Sequence, residues 1–323
     1  MGTSEDLRTG SDVGVGGQAS PVHGILLAFA AFAAFSFSDA SVKLIEGAIS
    51  PYESAFFGAV FGLAALPFLV RPGDRWRDIF RTADRRMWLL RFVAYPVGVM
   101  GSVTAFTHLP MAEAFTLMFI QPAFVTIISI LFLKEQVGVR RWTAVILGFV
   151  GVIVALRPGF RELSIGHLGA LLAGLGGAVS VIAFRVAPKG EKNISLFGAG
   201  LLGALVLCSL AMGAHFRWPT AEEWGLLAGY GLLAAFANVL LMHAVFRAPA
   251  TYVAPAQYSQ MLWALLLGYL LFGDVIDAPT LVGVALIVGS GILILIRERR
   301  RGVPIPPAVG NAYPADASSP SES

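Results

Sequence analysis

A chain of 323 residues that is 56% hydrophobic and only 13% charged, with a mean hydropathy of +0.74, carries far fewer charges than the ~25% of a soluble domain, which excludes that class. Its net charge of +3 comes from Lys and Arg gathered in a few connections, a matter of membrane topology and not of a nucleic-acid surface. The single cysteine, Cys208, lies inside an apolar run, so neither a disulfide framework nor a cysteine metal site is available.

Residues 1–20 are rich in Gly and Ser and mix acids with Arg8, unlike the short basic lead of a cleavable signal. Residues 1–22 are expected to be a disordered cytoplasmic N-terminus, with the first helix kept as an anchor. Apolar segments follow at 23–44, 50–70, 88–107, 111–132, 141–156, 166–186, 194–214, 224–246, 250–272 and 279–296. A helix needs about 20 residues to cross roughly 30 Å of hydrocarbon, and continuous apolar runs do not read as barrel strands. Ten spans are therefore expected, the 141–156 span being short enough to need snorkelling Arg141 and Arg157 at its ends. Gly58/Gly62, Gly148/Gly151, Gly198/Gly200/Gly203 and Gly225/Gly229 lie inside these runs and suit close helix packing. The Pro-, Ala- and Ser-rich residues 302–323 hold too little apolar surface to fold and are expected to be a disordered cytoplasmic tail.

The stretch 109–135 returns at 248–274. One offset of 139 positions pairs Pro110 with Pro249, Phe119 with Tyr258, Gln121 with Gln260 and Glu135 with Asp274, and also Ala144 with Gly283 and Gly151 with Ser290. Each copy is a proline break, an apolar run interrupted by a glutamine, and an acid where the run ends, so the chain reads as a duplicated membrane unit. With the N-terminus inside, eighteen basic residues fall in inside connections and four (Lys43, Arg157, Arg161, Arg217) fall outside, Arg91 within a span completing the 23. The connection at Pro110 then faces out and its mate at Pro249 faces in. The predicted fold is an all-α integral membrane protein of ten transmembrane helices in two inverted five-helix repeats, 23–157 and 166–297, an architecture that exposes a central site alternately to the two sides.

Certain residues carry a family resemblance: Asp39 and Lys43 in the first span, Glu53 opening the second and Arg91 opening the third. After them come Leu109, Pro110, Met111, Ala112, Glu113 and Ala114, then Pro122, then Leu133, Lys134 and Glu135 before Trp142. In this order and spacing the chain, over 23–297, resembles an EamA-type member of the drug/metabolite transporter superfamily. The resemblance implies ten helices in two repeats, a multi-pass location in the cell inner (plasma) membrane, and transport of small organic solutes in either direction. Members often carry an arginine five residues after the second-span glutamate, where this chain has Gly58, so an anionic-substrate clamp there loses its support. Pro122 has no counterpart in the second half, where Met261 stands.

An ionised side chain at mid-bilayer costs about 2.5 to 3.5 kcal/mol on insertion scales, so each polar residue in a span needs a reason. Asp39 and Lys43, four apart on one face, read either as a coupling or gating acid with its counter-charge or as a self-neutralised pair with Lys43 snorkelling. Asp39, alone away from a helix end, is the first choice for a proton or cation site. Glu53 reads as a helix cap, Glu113 as a cap or an outer gate, and Glu135 and Asp274 as acids that fix turns. Gln121 and Gln260 match at mid-depth with Gln257 one turn before, and amides in hydrocarbon need a helix or a substrate as partner. These three read as substrate-binding, with Asn238 deep in span eight. Tyr258 faces about 100° away from its neighbours on the helix and need not share their cavity; Phe119 and Trp263 read as packing. His243 is a titrating shuttle or an interfacial residue. Arg91 is a headgroup anchor or a lining of the inner mouth, shared with Tyr95 beside the possible kink at Pro96.

No nucleophile turn, His-Glu-x-x-His, Asp-Asp-x-x-Asp or nucleotide loop occurs, and five histidines are scattered singly, so no catalytic residue, metal site or cofactor is expected. The expected function is secondary transport, uptake or export, of a small organic metabolite such as an amino acid, amino-acid derivative or vitamin. A membrane channel or scaffold and an intramembrane enzyme are the alternatives. Expected partners are a small-molecule substrate and membrane lipid, with proton or cation coupling, no nucleic acid, and a homodimer allowed. Without a dense charged cluster at mid-depth, a zwitterionic or weakly polar cargo is favoured over a highly charged one.

Overall fold

The structure, a computed structural model, describes residues 21–45, 47–69, 74–134, 139–156, 162–188, 191–213, 216–248, 253–275 and 277–301. Of the segment 1–22 expected to be disordered, Pro21 and Val22 already belong to the first helix; residues 1–20 and those after 301, together with Glu135, Pro249 and Arg157, lie outside the described residues. Among the described residues every regular element is helical.

Local chemistry sets the helix boundaries. After α1 (Pro21–Lys43), α2 (Pro51–Gly62) starts on a capping box, with Glu53 N–H donating to Ser50 Oγ (3.2 Å) and Ser50 N–H to Glu53 Oε2 (2.9 Å). Glu53 is thus the cap that its position suggested. A 3-10 turn, Leu63–Ala65, leads from α2 into the short helix Leu66–Leu69. α3 (Arg85–His108) is capped by Asp84, whose Oδ1 accepts the Arg86 N–H at 2.8 Å. α4 (Met111–Met118) and α5 (Gln121–Leu133) are one apolar run divided at Phe119 and Ile120, where Pro122 supplies no N–H to continue the ladder. Then come α6 (Val139–Leu156), α7 (Ile165–Val186), α8 (Asn193–Met212) and α9 (Ala221–Arg247). A 3-10 turn, Ala254–Tyr258, leads into α10 (Ser259–Phe272), and α11 is Ala278–Arg301. The 3-10 boundary at Tyr258 falls opposite Phe119 in the 139-residue correspondence, so both halves break there even though Pro122 is unmatched.

Among the described residues six helices are long and apolar enough to cross a membrane: Val22–Lys43, Arg85–His108, Met111–Leu133, Ile165–Phe184, Ile194–Met212 and Ala221–Ala244. Shorter apolar stretches lie at Val145–Ala155 and Ala278–Gly289, and the segments of α2 and α10 each contain a 3-10 turn.

The main crossings are α1 on α9 and α3 on α7, with α3 also on α8, α2 on α8 and α9, and α6 on α11. The offset exchanges the first two pairs, since it carries α1 to α7 and α3 to α9. Backbone proximity at glycines makes these crossings close. A Cβ on Gly101 would sit 2.6 Å from the Gly169 carbonyl oxygen, and one on Gly176 2.7 Å from Gly98 Cα. At the α6/α11 crossing a Cβ on Gly283 would lie 2.8 Å from the Gly151 carbonyl oxygen. Two of the expected packing glycines differ: Gly225 faces open space and Gly62 makes only an ordinary 3.5 Å contact with Leu201.

The connections pair off at the two ends of α2. Beside its start, Arg217 N–H donates to Glu53 Oε1 at 2.7 Å. Past its other end, Lys192 Nζ bridges Asp74 (3.0 Å) and Asp78 (2.6 Å), while Glu191 Oε2 accepts the Ala83 N–H at 2.6 Å. The hydrogen bond from Lys192 holds the Asp78 carboxyl below the usual carboxylate range, and the same bond raises the Lys192 ammonium above its own.

Candidate functional site

α1, α3, α4, α5 and α7, with the start of α10 and the 3-10 turn before it, line a cavity of about 250 Å³. Six of the ten polar residues singled out from the sequence line it: Asp39, Arg91, Tyr95, Gln121, Gln257 and Gln260. Ser102 and Ser180 add hydroxyls, while Phe35, Phe106, Phe115 and Phe119 supply aromatic walls. The helix breaks place two of the amides. Gln121 is the first residue of α5 and Gln260 the second of α10, and the paired residues Phe119 and Tyr258 meet between them with ring centroids 5.8 Å apart. Tyr258 itself is not a lining residue, whereas Phe119 is; Trp263 packs on Phe37 at 5.9 Å. Small residues on α7 make the room: a Cβ on Gly177 would lie 2.7 Å from Gln121 Oε1.

Asp39 and Lys43 do not pair. Lys43 Nζ binds Asp274 Oδ2 at 2.9 Å and the Leu109 carbonyl at 3.1 Å, and lies 4.5 Å from the centre of the Phe272 ring. Asp274 Oδ2 also accepts the Met111 N–H at 3.0 Å, so one carboxylate ties the end of α10 to the end of α1 and the start of α4. Asp39 is left facing the cavity; among the described residues no hydrogen-bond donor or cation reaches its carboxylate. Its neighbouring serines point their hydroxyls elsewhere, Ser38 Oγ to the Tyr230 carbonyl at 2.6 Å and Ser36 Oγ to the Phe32 carbonyl at 3.0 Å.

Arg91 is 1% exposed, which rules out a headgroup anchor. Its Nε donates to the Leu196 carbonyl at 2.6 Å and its guanidinium lies 4.3 Å from the centre of the Phe184 ring. Two opposite charges, Asp39 and Arg91, thus line one cavity without forming an ion pair with each other.

The other four lie elsewhere. Glu113, in the first turn of α4, is buried against His167 Nε2 at 3.3 Å. Because the ring's Nδ1 accepts the Ser164 N–H at 2.9 Å, the proton belongs on Nε2, facing Glu113. The residue therefore fastens α4 to α7. Lys43 sits at the Asp274 contact, and His243 near the end of α9, its carbonyl accepting from Arg247 at 3.4 Å. Asn238 borders a separate side chamber of about 50 Å³, shared with Tyr95 and Tyr230, and donates to the Ala234 carbonyl at 2.8 Å. In that chamber a Cβ on Gly58 would collide with the Tyr230 ring, so the phenol fills the space beside that position.

The pattern of the EamA-like transporter family matches residues 22–157 and again 164–296. The chain belongs to the EamA-like transporter family. As an EamA member with several membrane-length apolar helices it is a multi-pass membrane protein of a transporter class. It is similar to the "S-adenosylmethionine uptake transporter" of Rickettsia prowazekii, 25% identical with 82% of this chain and 90% of that protein covered. It also resembles the "Pseudopaline exporter CntI" of Pseudomonas aeruginosa, strain UCBPP-PA14, at 27% identity over 84% and 95% of the two chains. A "Riboflavin transporter" of Brucella anthropi is 29% identical over 54% of this chain and 62% of its own. One solved crystal structure shares the fold at a TM-score of 0.55 and 18% identity, covering 86% of this chain and 98% of the other.

Proposed function

We propose that this EamA chain is a secondary transporter that moves a small zwitterionic or weakly polar metabolite through the cavity by alternating access. The observation that carries this reading is the cavity itself: one carboxylate, one guanidinium and three amides between aromatic walls, contributed by both halves of the chain. A volume of about 250 Å³ lies just below the ~300–1,000 Å³ of drug-sized ligand pockets, which fits a cargo of amino-acid or small-vitamin size. The relatives' printed names, an S-adenosylmethionine importer and a pseudopaline exporter among them, favour a small organic solute and leave both directions open.

The transporter is proposed to thread ten spans as two inverted repeats, 23–157 and 166–297, with both termini cytoplasmic in the inner membrane. Three observations support this: the double family match, the offset-related crossings of α1 on α9 and α3 on α7, and the pairing of connections. Residue 217 joins the start of α2 while residue 192 joins the far end, the arrangement that an inverted pair of repeats calls for. The Lys43–Asp274–Met111 contact is the proposed outer closure. Asp39 is the proposed coupling acid.

In reconstituted vesicles, candidate solutes should be taken up or expelled down an imposed proton or solute gradient and recovered unchanged; chemical conversion of the solute would defeat the reading. Changing Gln121 and Gln260 together to Met should leave the protein folded. Two lost hydrogen bonds at roughly 0.5–1.5 kcal/mol each correspond to a drop on the order of tenfold in affinity. Unchanged affinity would remove both amides from the site.

A further inference from the structure

The segment between α2 and α3 does more than connect them. Its 3-10 helix, Trp76–Phe80, turns Ile79 inward against Gly198 of α8, and Trp88 Nε1 donates to the Ile79 carbonyl at 3.2 Å. Every acid of the segment is held from within: Asp74 and Asp78 by Lys192, and Asp84 by the backbone of α3. What faces outward is basic and aromatic. Arg75, Arg77, Arg81, Arg85 and Arg86 are all exposed, and none has a hydrogen-bonded or ion-paired side-chain partner among the described residues. Trp76 and Phe80, 56% and 69% exposed, stand among them.

A solvated loop has no reason to present two large aromatic rings to water, and charge sorting alone does not require the acids to be turned inward. Aromatic rings interleaved with guanidiniums are what the headgroup layer takes, the rings at the acyl boundary and the cations at phosphates. We propose that this face is a binding site for the phosphate headgroups of anionic phospholipid in the adjoining leaflet. The clip to residues 191 and 192 keeps the platform rigid. Trp88, stacked on Phe92 at 5.3 Å, joins it to the helix that carries Arg91 and Tyr95.

The test uses the delipidated full chain in neutral detergent, titrated separately with phosphatidylglycerol, phosphatidylcholine and inorganic phosphate, with bound lipid read by native mass spectrometry. Phosphatidylglycerol should bind in preference to phosphatidylcholine and weaken as salt is raised, and inorganic phosphate, added at constant ionic strength, should neither bind nor compete. Each arginine near an anionic surface is worth about fivefold, so the triple variant R75Q/R77Q/R81Q should lose on the order of a hundredfold in phosphatidylglycerol affinity. The single variants Arg77→Gln and Arg81→Gln, at about fivefold each, keep the test decisive should the triple variant not fold. An unchanged affinity in these variants, a loss equal for both lipids, or competition by inorganic phosphate would each overturn the proposal.

Discussion

Replacing Asp39 by Asn should abolish gradient-driven transport while leaving exchange of cargo partly intact. The side chain keeps its size, so packing on α1 is preserved, but the group can no longer be ionised. Asp39 faces the cavity with no hydrogen-bonded or ion-paired partner among the described residues, and an ionised side chain left within a span is costly, about 2.5–3.5 kcal/mol at its centre. Such a carboxylate is most stable when a proton, a cation or the cationic end of a cargo neutralises it, and exchanging one neutraliser for another across the cycle is how an ion gradient drives cargo. An amide needs no neutraliser and has no such exchange to offer. The measurement is uptake into vesicles at imposed pH gradients, alongside counterflow without a gradient. Full proton dependence in the Asp39→Asn protein would show that coupling resides elsewhere.

Gly101→Leu should have the largest effect on stability. A Cβ at position 101 meets the Gly169 carbonyl oxygen at 2.6 Å and the Ala173 N at 2.9 Å. Both are backbone atoms, so relief requires α3 and α7 to move apart and not a rotamer change. Ordinary overpacking costs about 1–3 kcal/mol, and a clash with a neighbouring helix backbone should exceed that range. The expected result is loss of monodisperse protein in detergent or a sharply lowered melting temperature. Gly225→Leu, where nothing lies within 4 Å, is the matched control and should melt like the parent. Equal melting of the two variants would mean that the α3/α7 crossing is not the close contact described.

Much of this architecture was readable from hydropathy and from one offset, and the residues show why the rest was not. Gln121, Gln260, Phe119 and Tyr258 were paired by sequence alone, and the fold brings the two amides to one cavity and the two rings into contact. The glycines of the α3/α7 crossing went unremarked because in a bilayer both the lipid-facing and the helix-facing sides of a span are apolar. No amphipathic stripe then marks the contact face. The same uniformity hid Ser102 and Ser180, which line the cavity. Spacing of four made Asp39 and Lys43 look like partners, yet the lysine meets Asp274, 231 positions away, a contact that local pattern does not encode. Depth alone put Asn238 at the site, whereas its direction on α9 sends it to the side chamber. His167 gave no signal as the mate of Glu113, because only folding brings α4 and α7 together.

Alternating access is tested most directly by the reactivity of a single cysteine in the cavity, Ser102→Cys in a Cys208→Ser chain, with a membrane-impermeant thiol reagent applied to one face of oriented vesicles at a time. The cysteine should react from both faces, cargo should protect it from each, and Lys43→Met, which removes the Lys43–Asp274 contact, should raise reactivity from the outer face. Reaction from one face only, unaltered by cargo or by loss of that contact, would contradict a cavity that opens in turn to the two sides.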